Sequence, residues 1–248
     1  MIIDFHTHIF PPEVRTRRDD YIERDITFAE MYTSPKAKVA IAEDLAASME
    51  ANSVDTSIAL GFAWRDHDLI VRHNDYLLET AMRGEGRILP FATVNMTDEG
   101  AEKEIERMAA AGARGLGELR PESQGWDLNG SAGERLAEIA GRLGLILLFH
   151  VTEPAGRQYP GKYGLSLASF VRFASAHRKL SIVGAHPRTS EGITGYRGFV
   201  RPGAQRMSTT SSYGPPGAPA NTPDLPMPNS SQPSSSRRNR STISESQG

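Results

Sequence analysis

The chain has 248 residues, 38% of them hydrophobic and 23% charged, with a formal net charge of -2 and no cysteine. That balance excludes the basic excess on which nucleic-acid or anionic-membrane binding draws. The missing thiols exclude a disulfide-stapled secreted scaffold, thiolate metal ligands and a cysteine nucleophile. No apolar run reaches the ~18–20 residues of a membrane span, and the opening MIIDFHTH turns polar at once without a basic leader region. A cytoplasmic protein is therefore expected, with a small molecule as substrate and neither nucleic acid nor membrane as partner.

Short runs rich in Ile, Leu, Val and Phe recur along the chain, in order IIDFH (2–6), DTSIALGFA (55–63), RILPFATVN (87–95), ARGLGEL (113–119), LILLFH (145–150) and KLSIVGAH (179–186). Such runs suit strands buried on both faces, as in a parallel sheet. The first connection is long. Phe10 to about Pro35, with PPEV and MYTSP, reads as a loop over the mouth of the fold. Helix patterns fill the remaining connections. KAKVAIAEDLAASMEAN precedes the second strand and NDYLLETAMRG the third. DEGAEKEIERMAAAGA precedes the fourth, with Thr97 or Asp98 as N-cap and Gly112 as stop. SAGERLAEIAGRLG, with Ser131 as N-cap and Gly144 after its last turn, precedes the fifth, and LASFVRFASAHR the sixth.

From the second strand on, the spacing is about 30 residues, one βα repeat. A closed (β/α)8 barrel takes ~250 residues. The expected fold is thus α/β of the (β/α)8 TIM-barrel type, incomplete, with six βα units in residues 1–186; a six-unit open sheet is the competing architecture. After His186 the periodicity stops. Residues 187–248 are rich in Pro, Ser, Thr, Gly and Arg and read as a disordered tail, because such a segment buries too little apolar surface to offset chain entropy. It fits either a solvated extension or a segment out of the fold's reading frame. RRNR at 237–240 reads as a solvated basic patch.

The chemistry-bearing residues collect at strand ends. His6 and His8 form H-x-H on the first strand, and residues two apart in an extended chain share a face, so the pair can hold one divalent ion. Glu118 closes the fourth strand, His150 the fifth and His186 the sixth. In a parallel barrel these ends converge on the active site, and imidazole with carboxylate is the donor set of a catalytic zinc or similar ion. Glu118 reads equally as a buried acceptor for Arg114 or Arg120. Trp64, Arg65 and Asp66 follow the second strand toward the same mouth, which makes Trp64 a substrate-contact candidate. Arg120, after the fourth strand, can hold a substrate carboxylate bidentately. His67, His73 and His177 read as solvated.

MIIDFHTHIFP, with His150 in LILLFH and His186 in IVGAHP, resembles the amidohydrolase superfamily, in particular the amidohydrolase-related branch that includes aminocarboxymuconate-semialdehyde decarboxylase. The resemblance covers about residues 1–186. It implies a single divalent ion, usually zinc, with manganese or iron as alternatives, at the mouth of a distorted barrel. His6, His8 and His150 would be its ligands. His186 would bind metal or act on substrate or water. Glu118, from its strand-end position alone, is a catalytic candidate beside it. The implied activity is hydrolysis or non-oxidative decarboxylation of a carbonyl- or carboxylate-bearing small molecule by metal-activated water, and self-association is also implied. The family pattern continues to an eighth strand ending in a metal-binding Asp. Here the one Asp after His186 is Asp224, in TPDLPMP, so a catalytically inactive family member and a non-enzymatic interaction protein are the alternatives.

Overall fold

The computed structural model describes residues 1–152 and 161–186; the tail expected over 187–248 lies outside them. Six strands form one parallel sheet in sequential order: β1 (Ile3–His8), β2 (Thr56–Leu60), β3 (Ile88–Ala92), β4 (Gly115–Leu119), β5 (Ile146–His150) and β6 (Ile182–Ala185). Every strand pairs with its sequence neighbour, so crossovers of one hand place the helices on a single face, and the sheet must curl to bury the other. A doubly wound open sheet would reverse its strand order instead. The curl shows in the inner layer, where Phe5, Ile58, Leu60, Phe91, Leu148, Val183 and Ala185 from five strands pack as one cluster. It also brings β1 to the end of β6, with the His6 and His186 ring centroids 5.0 Å apart. The architecture is an incomplete TIM barrel.

The outer layer holds the alternate residues. Leu116, Leu119, Leu147, Phe149 and Ile182 pack against α6 (Ala101–Ala110), α8 (Ser131–Leu143) and α9 (Leu167–Ala176), and Ala59 and Ile88 meet α4 (Ala42–Ala51) and α5 (His67–Arg83). The long first connection is three short helices rather than a loop: α1 (Pro12–Thr16), α2 (Arg18–Arg24) and α3 (Ile26–Tyr32). Phe28 of α3 stacks on Trp64 with ring centroids 5.0 Å apart and on Tyr32 at 4.6 Å. Buried Asp25 caps α3, its Oδ1 accepting from the Thr27 and Phe28 amides, while its Oδ2 accepts from the Arg65 amide at 2.7 Å and so ties the insertion to the β2–α5 loop.

Helix starts differ from the sequence reading for identifiable reasons. α4 starts at Ala42, not Lys36, because the Ala40 carbonyl is taken by the Phe10 amide at 2.8 Å. α6 is capped by Gly100 rather than Thr97 or Asp98. Thr97 is bound by Asn95 Oδ1 and Asp98 faces His67 Nδ1 at 3.3 Å. In α8 the cap is Gly130, and Ser131 is the first helical residue. α5 runs further back than expected, to His67, because Asp66 Oδ1 caps it through the Leu69 amide. α7 (Pro121–Gln124) is a short turn after β4.

Candidate metal centre

Four histidines surround one buried carboxylate at the C-terminal ends of the strands. Glu118, 5% exposed, lies 3.6 Å from His6 Nε2 and 3.4 Å from His8 Nε2 through Oε2. Through Oε1 it lies 3.1 Å from His150 Nδ1 and 3.5 Å from His186 Nε2. His6 Nε2 and His8 Nε2 are 3.2 Å apart. One ligand atom each from His6, Glu118 and His186 falls within 4.8 Å of the others.

Regular strand alternation delivers only one of these side chains. Leu148 faces inward, so His150 two residues on does too. On β1, inward Phe5 would send His6 and His8 outward, but the register shifts between Asp4 and Thr7. On β4, Leu116 and Leu119 both join the outer layer although three residues apart, because the register shifts between them, and Glu118 is released to the inner side. Such irregularities re-aim side chains. On β6, Ala185 faces inward, and the next residue, His186, turns inward as well because its φ is 61°. That left-handed conformation costs a non-glycine residue about 1–2 kcal/mol. A glycine is needed at Gly164, where a Cβ would sit 2.6 Å from His150 Cδ2.

Burial pushes the Glu118 carboxyl up, but the surrounding histidines, His6 and His150 foremost, outweigh it and hold the group well below the usual carboxylate range. Burial lowers the His8 imidazole, with the Glu118 hydrogen bond opposing. The centre is thus an ionised carboxylate among imidazoles.

The residues present fit a divalent ion. A tetrahedral zinc with bonds of about 2.0–2.1 Å spaces its donors about 3.3–3.4 Å apart, and the donor separations around Glu118 bracket that figure. Imidazole and carboxylate donors suit zinc, manganese and iron alike.

The structure brings His6, His8, Glu118, His150 and His186 together. It places Trp64 elsewhere: the ring is 1% exposed within the aromatic cluster of Phe10, Phe28 and Phe62, and its Nε1 donates to His73 Nδ1 at 2.9 Å. Arg120 is buried between the Tyr163 carbonyl, which accepts from Nη2 at 2.8 Å, and Glu30 Oε2, 3.4 Å from Nη1. The reading of His73 as solvated is corrected. It is 1% exposed, and its Nε2 meets the Ile9 carbonyl at 2.7 Å, next to His8. The buried face of α5 carries it, with Asn74 and Leu77 beside it. His67 and His177 lie partly exposed beside Asp98 and Glu134. Sequence reasoning missed Asp25; its signal was an Asp immediately before Ile26–Tyr32, the N-cap position.

The amidohydrolase family profile matches residues 3–206. The chain belongs to the amidohydrolase family. No curated protein matches it. Among solved structures it is similar to the 5-carboxyvanillate decarboxylase of Sphingomonas paucimobilis, with 19% identity over 74% of this chain and 66% of that one, TM-score 0.58. It is also similar to the 5-carboxyvanillate decarboxylase of Novosphingobium aromaticivorans complexed with manganese and 4-hydroxy-3-methoxy-5-nitrobenzoic acid, with 17% identity over 74% and 64%, TM-score 0.57. A third is the 2,6-dihydroxybenzoate decarboxylase from Rhizobium, with 15% identity over 74% and 65%, TM-score 0.51. The chain therefore spans just under two thirds of the length of these structures. At such identities the likeness is one of fold, which agrees with the incomplete barrel. Among the described residues no helix is long and apolar enough to cross a membrane.

Proposed function

We propose that the chain is a metal-dependent hydrolase or non-oxidative decarboxylase acting on a small carbonyl- or carboxylate-bearing molecule. The observation that carries this reading is the convergence of four strand-end histidines on the buried Glu118 carboxylate with ion-sized donor spacings. His6, His8 and His150 would hold the ion together with Glu118. An ion there supplies Lewis acidity and lowers the pKa of water from 15.7 toward ~7. Glu118, kept ionised, accepts from the imidazoles and fixes which ring nitrogen each presents, so it orients the ligands as well as serving among them. His186, 32% exposed at the rim, is the residue a substrate reaches, and its Nε2 gives or takes the proton of the reacting group.

The family name supports the hydrolytic arm, and the decarboxylases among the solved neighbours support the other. Zinc or manganese, a cytoplasmic setting and self-association belong to the same proposal, supported respectively by the N/O donor set, the lack of cysteine and the family resemblance.

The test supplies the purified full chain with Zn2+ or Mn2+. CO2 release is followed from a panel of hydroxybenzoates and unsaturated dicarboxylates, and acid release from lactones and anilides. Turnover that falls at least ~100-fold in His186→Asn with the metal retained agrees with the reading. A folded, metal-loaded chain inert toward the whole panel, or one unaffected by His186→Asn, contradicts it.

A further inference from the structure

Arg120 is 2% exposed, yet its Nε and Nη1 have no hydrogen-bond partner among the described residues. Buried guanidinium donors left empty are costly. Glu30 Oε2 stands 3.4 Å from Nη1, beyond the 2.7–2.9 Å of a charge-assisted hydrogen bond. It neutralises the cation without filling its donors; it is 43% exposed on α3, and the same Oε2 accepts only a long 3.3 Å hydrogen bond from exposed Ser123 Oγ, so little holds it against turning out to water. Arg120 is tied to the elements that carry the metal centre. It follows Glu118 by two residues, and its Nη2 is held by the Tyr163 carbonyl, whose neighbour Gly164 packs against the His150 ring. Buried Lys162 adds a second cation to that short segment.

From this we infer that Arg120 is the subsite for a substrate carboxylate distinct from the reacting group, with Glu30 as an internal stand-in that the substrate displaces. The Nη1 end, where Glu30 stands too far for a charge-assisted hydrogen bond, offers its charged donors to one carboxylate. A carboxylate arriving there fills the Nη1 donors in place of Glu30, which turns out to solvent. The substrate class is thereby narrowed to small molecules bearing one anchoring carboxylate beside the carbonyl or carboxyl that reacts at the histidine cluster. The inference rests on the proposed function, since it assumes that chemistry occurs at that cluster.

The experiment uses the full chain supplied with Mn2+ and isophthalate as probe, with isophthalamide as the uncharged control, titrated calorimetrically, and metal content measured in every sample. Isophthalate should bind at least about tenfold more tightly than isophthalamide, the loss expected for one charged hydrogen-bonded anchor. Arg120→Gln should abolish that preference, and Glu30→Gln, at an exposed position, should strengthen isophthalate binding several-fold by removing the competitor. Equal binding of the two probes, or weaker isophthalate binding in Glu30→Gln, overturns the subsite and leaves Arg120 as a tie between α3 and the barrel. Should Arg120→Gln fail to fold, the Glu30→Gln arm decides alone. Failure here with Mn2+ bound leaves the metal reading standing. Charge-selective binding through Arg120 without Mn2+ uptake supports the subsite and removes the metal reading.

Discussion

His73 makes this fold sensitive to mild acid in a way that can be worked out from the structure. Its ring is fully buried, with Nδ1 accepting from Trp64 and Nε2 donating to the Ile9 carbonyl. Both contacts are best met by the neutral form. Burial, against the pull of the Ile9 carbonyl, lowers its pKa from 6.5 to about 4. The unfolded chain therefore takes up a proton at higher pH than the folded one. Stability is full above pH 6.5, falls as pH drops from 6.5 toward 4, and levels off below the folded pKa. A gap of about 2.5 units corresponds to about 3 kcal/mol, a large share of a typical domain's 5–15 kcal/mol. The assay is urea unfolding of the metal-free full chain at several pH values between 7.5 and 4, for wild type and His73→Gln, which removes the titration while keeping a donor for Ile9. Other titrating groups, Glu118 and His8 among them, act in both proteins, so the difference between the two curves isolates His73. The variant should be the less stable protein at pH 7.5 and should close about 3 kcal/mol of the gap by pH 4. Parallel curves would refute the argument and mean that His73 is protonated, or exposed, in the folded chain.

Two further outcomes follow from specific contacts. Asp25→Ala removes the α3 cap and leaves the Arg65 amide unpaired; a loss of about 2–4 kcal/mol is expected in urea unfolding at pH 7.5, and a change under 0.5 kcal/mol would show that the insertion is held by its aromatic stack alone. Gly164→Ala drives a Cβ to within 2.6 Å of His150 Cδ2; displacing that ring should weaken Mn2+ or Zn2+ binding by about tenfold in calorimetric titration, and unchanged affinity would remove His150 from the ligand set.

The strands were legible in the sequence because burial on both faces leaves unbroken apolar runs, and Leu145–His150 is the plainest case. The collection of histidines at strand ends was legible for the same reason, since a polar residue closing such a run marks the mouth. Orientation was not. For His6, His8, Glu118 and His186 the side chain faces inward because of a register shift or a positive φ, and neither leaves a compositional trace. His73 was misread because a histidine on an amphipathic helix does not announce the carbonyl across from it. Trp64 was placed toward the mouth because it follows β2, but the three-helix insertion supplies the Phe28 face that buries it. The insertion itself read as loop because each of its helices is too short for periodicity to show.

One divalent ion held among His6, His8, Glu118, His150 and His186 would be seen by titrating Mn2+ and Zn2+ into the metal-free full chain by calorimetry, alongside His6→Ala and Glu118→Gln. Close to one ion per wild-type chain is expected, with affinity at least about tenfold weaker in both variants and far-UV circular dichroism unchanged. A wild-type chain that unfolds cooperatively but takes up no ion, or variants that bind as tightly as wild type, would contradict that site.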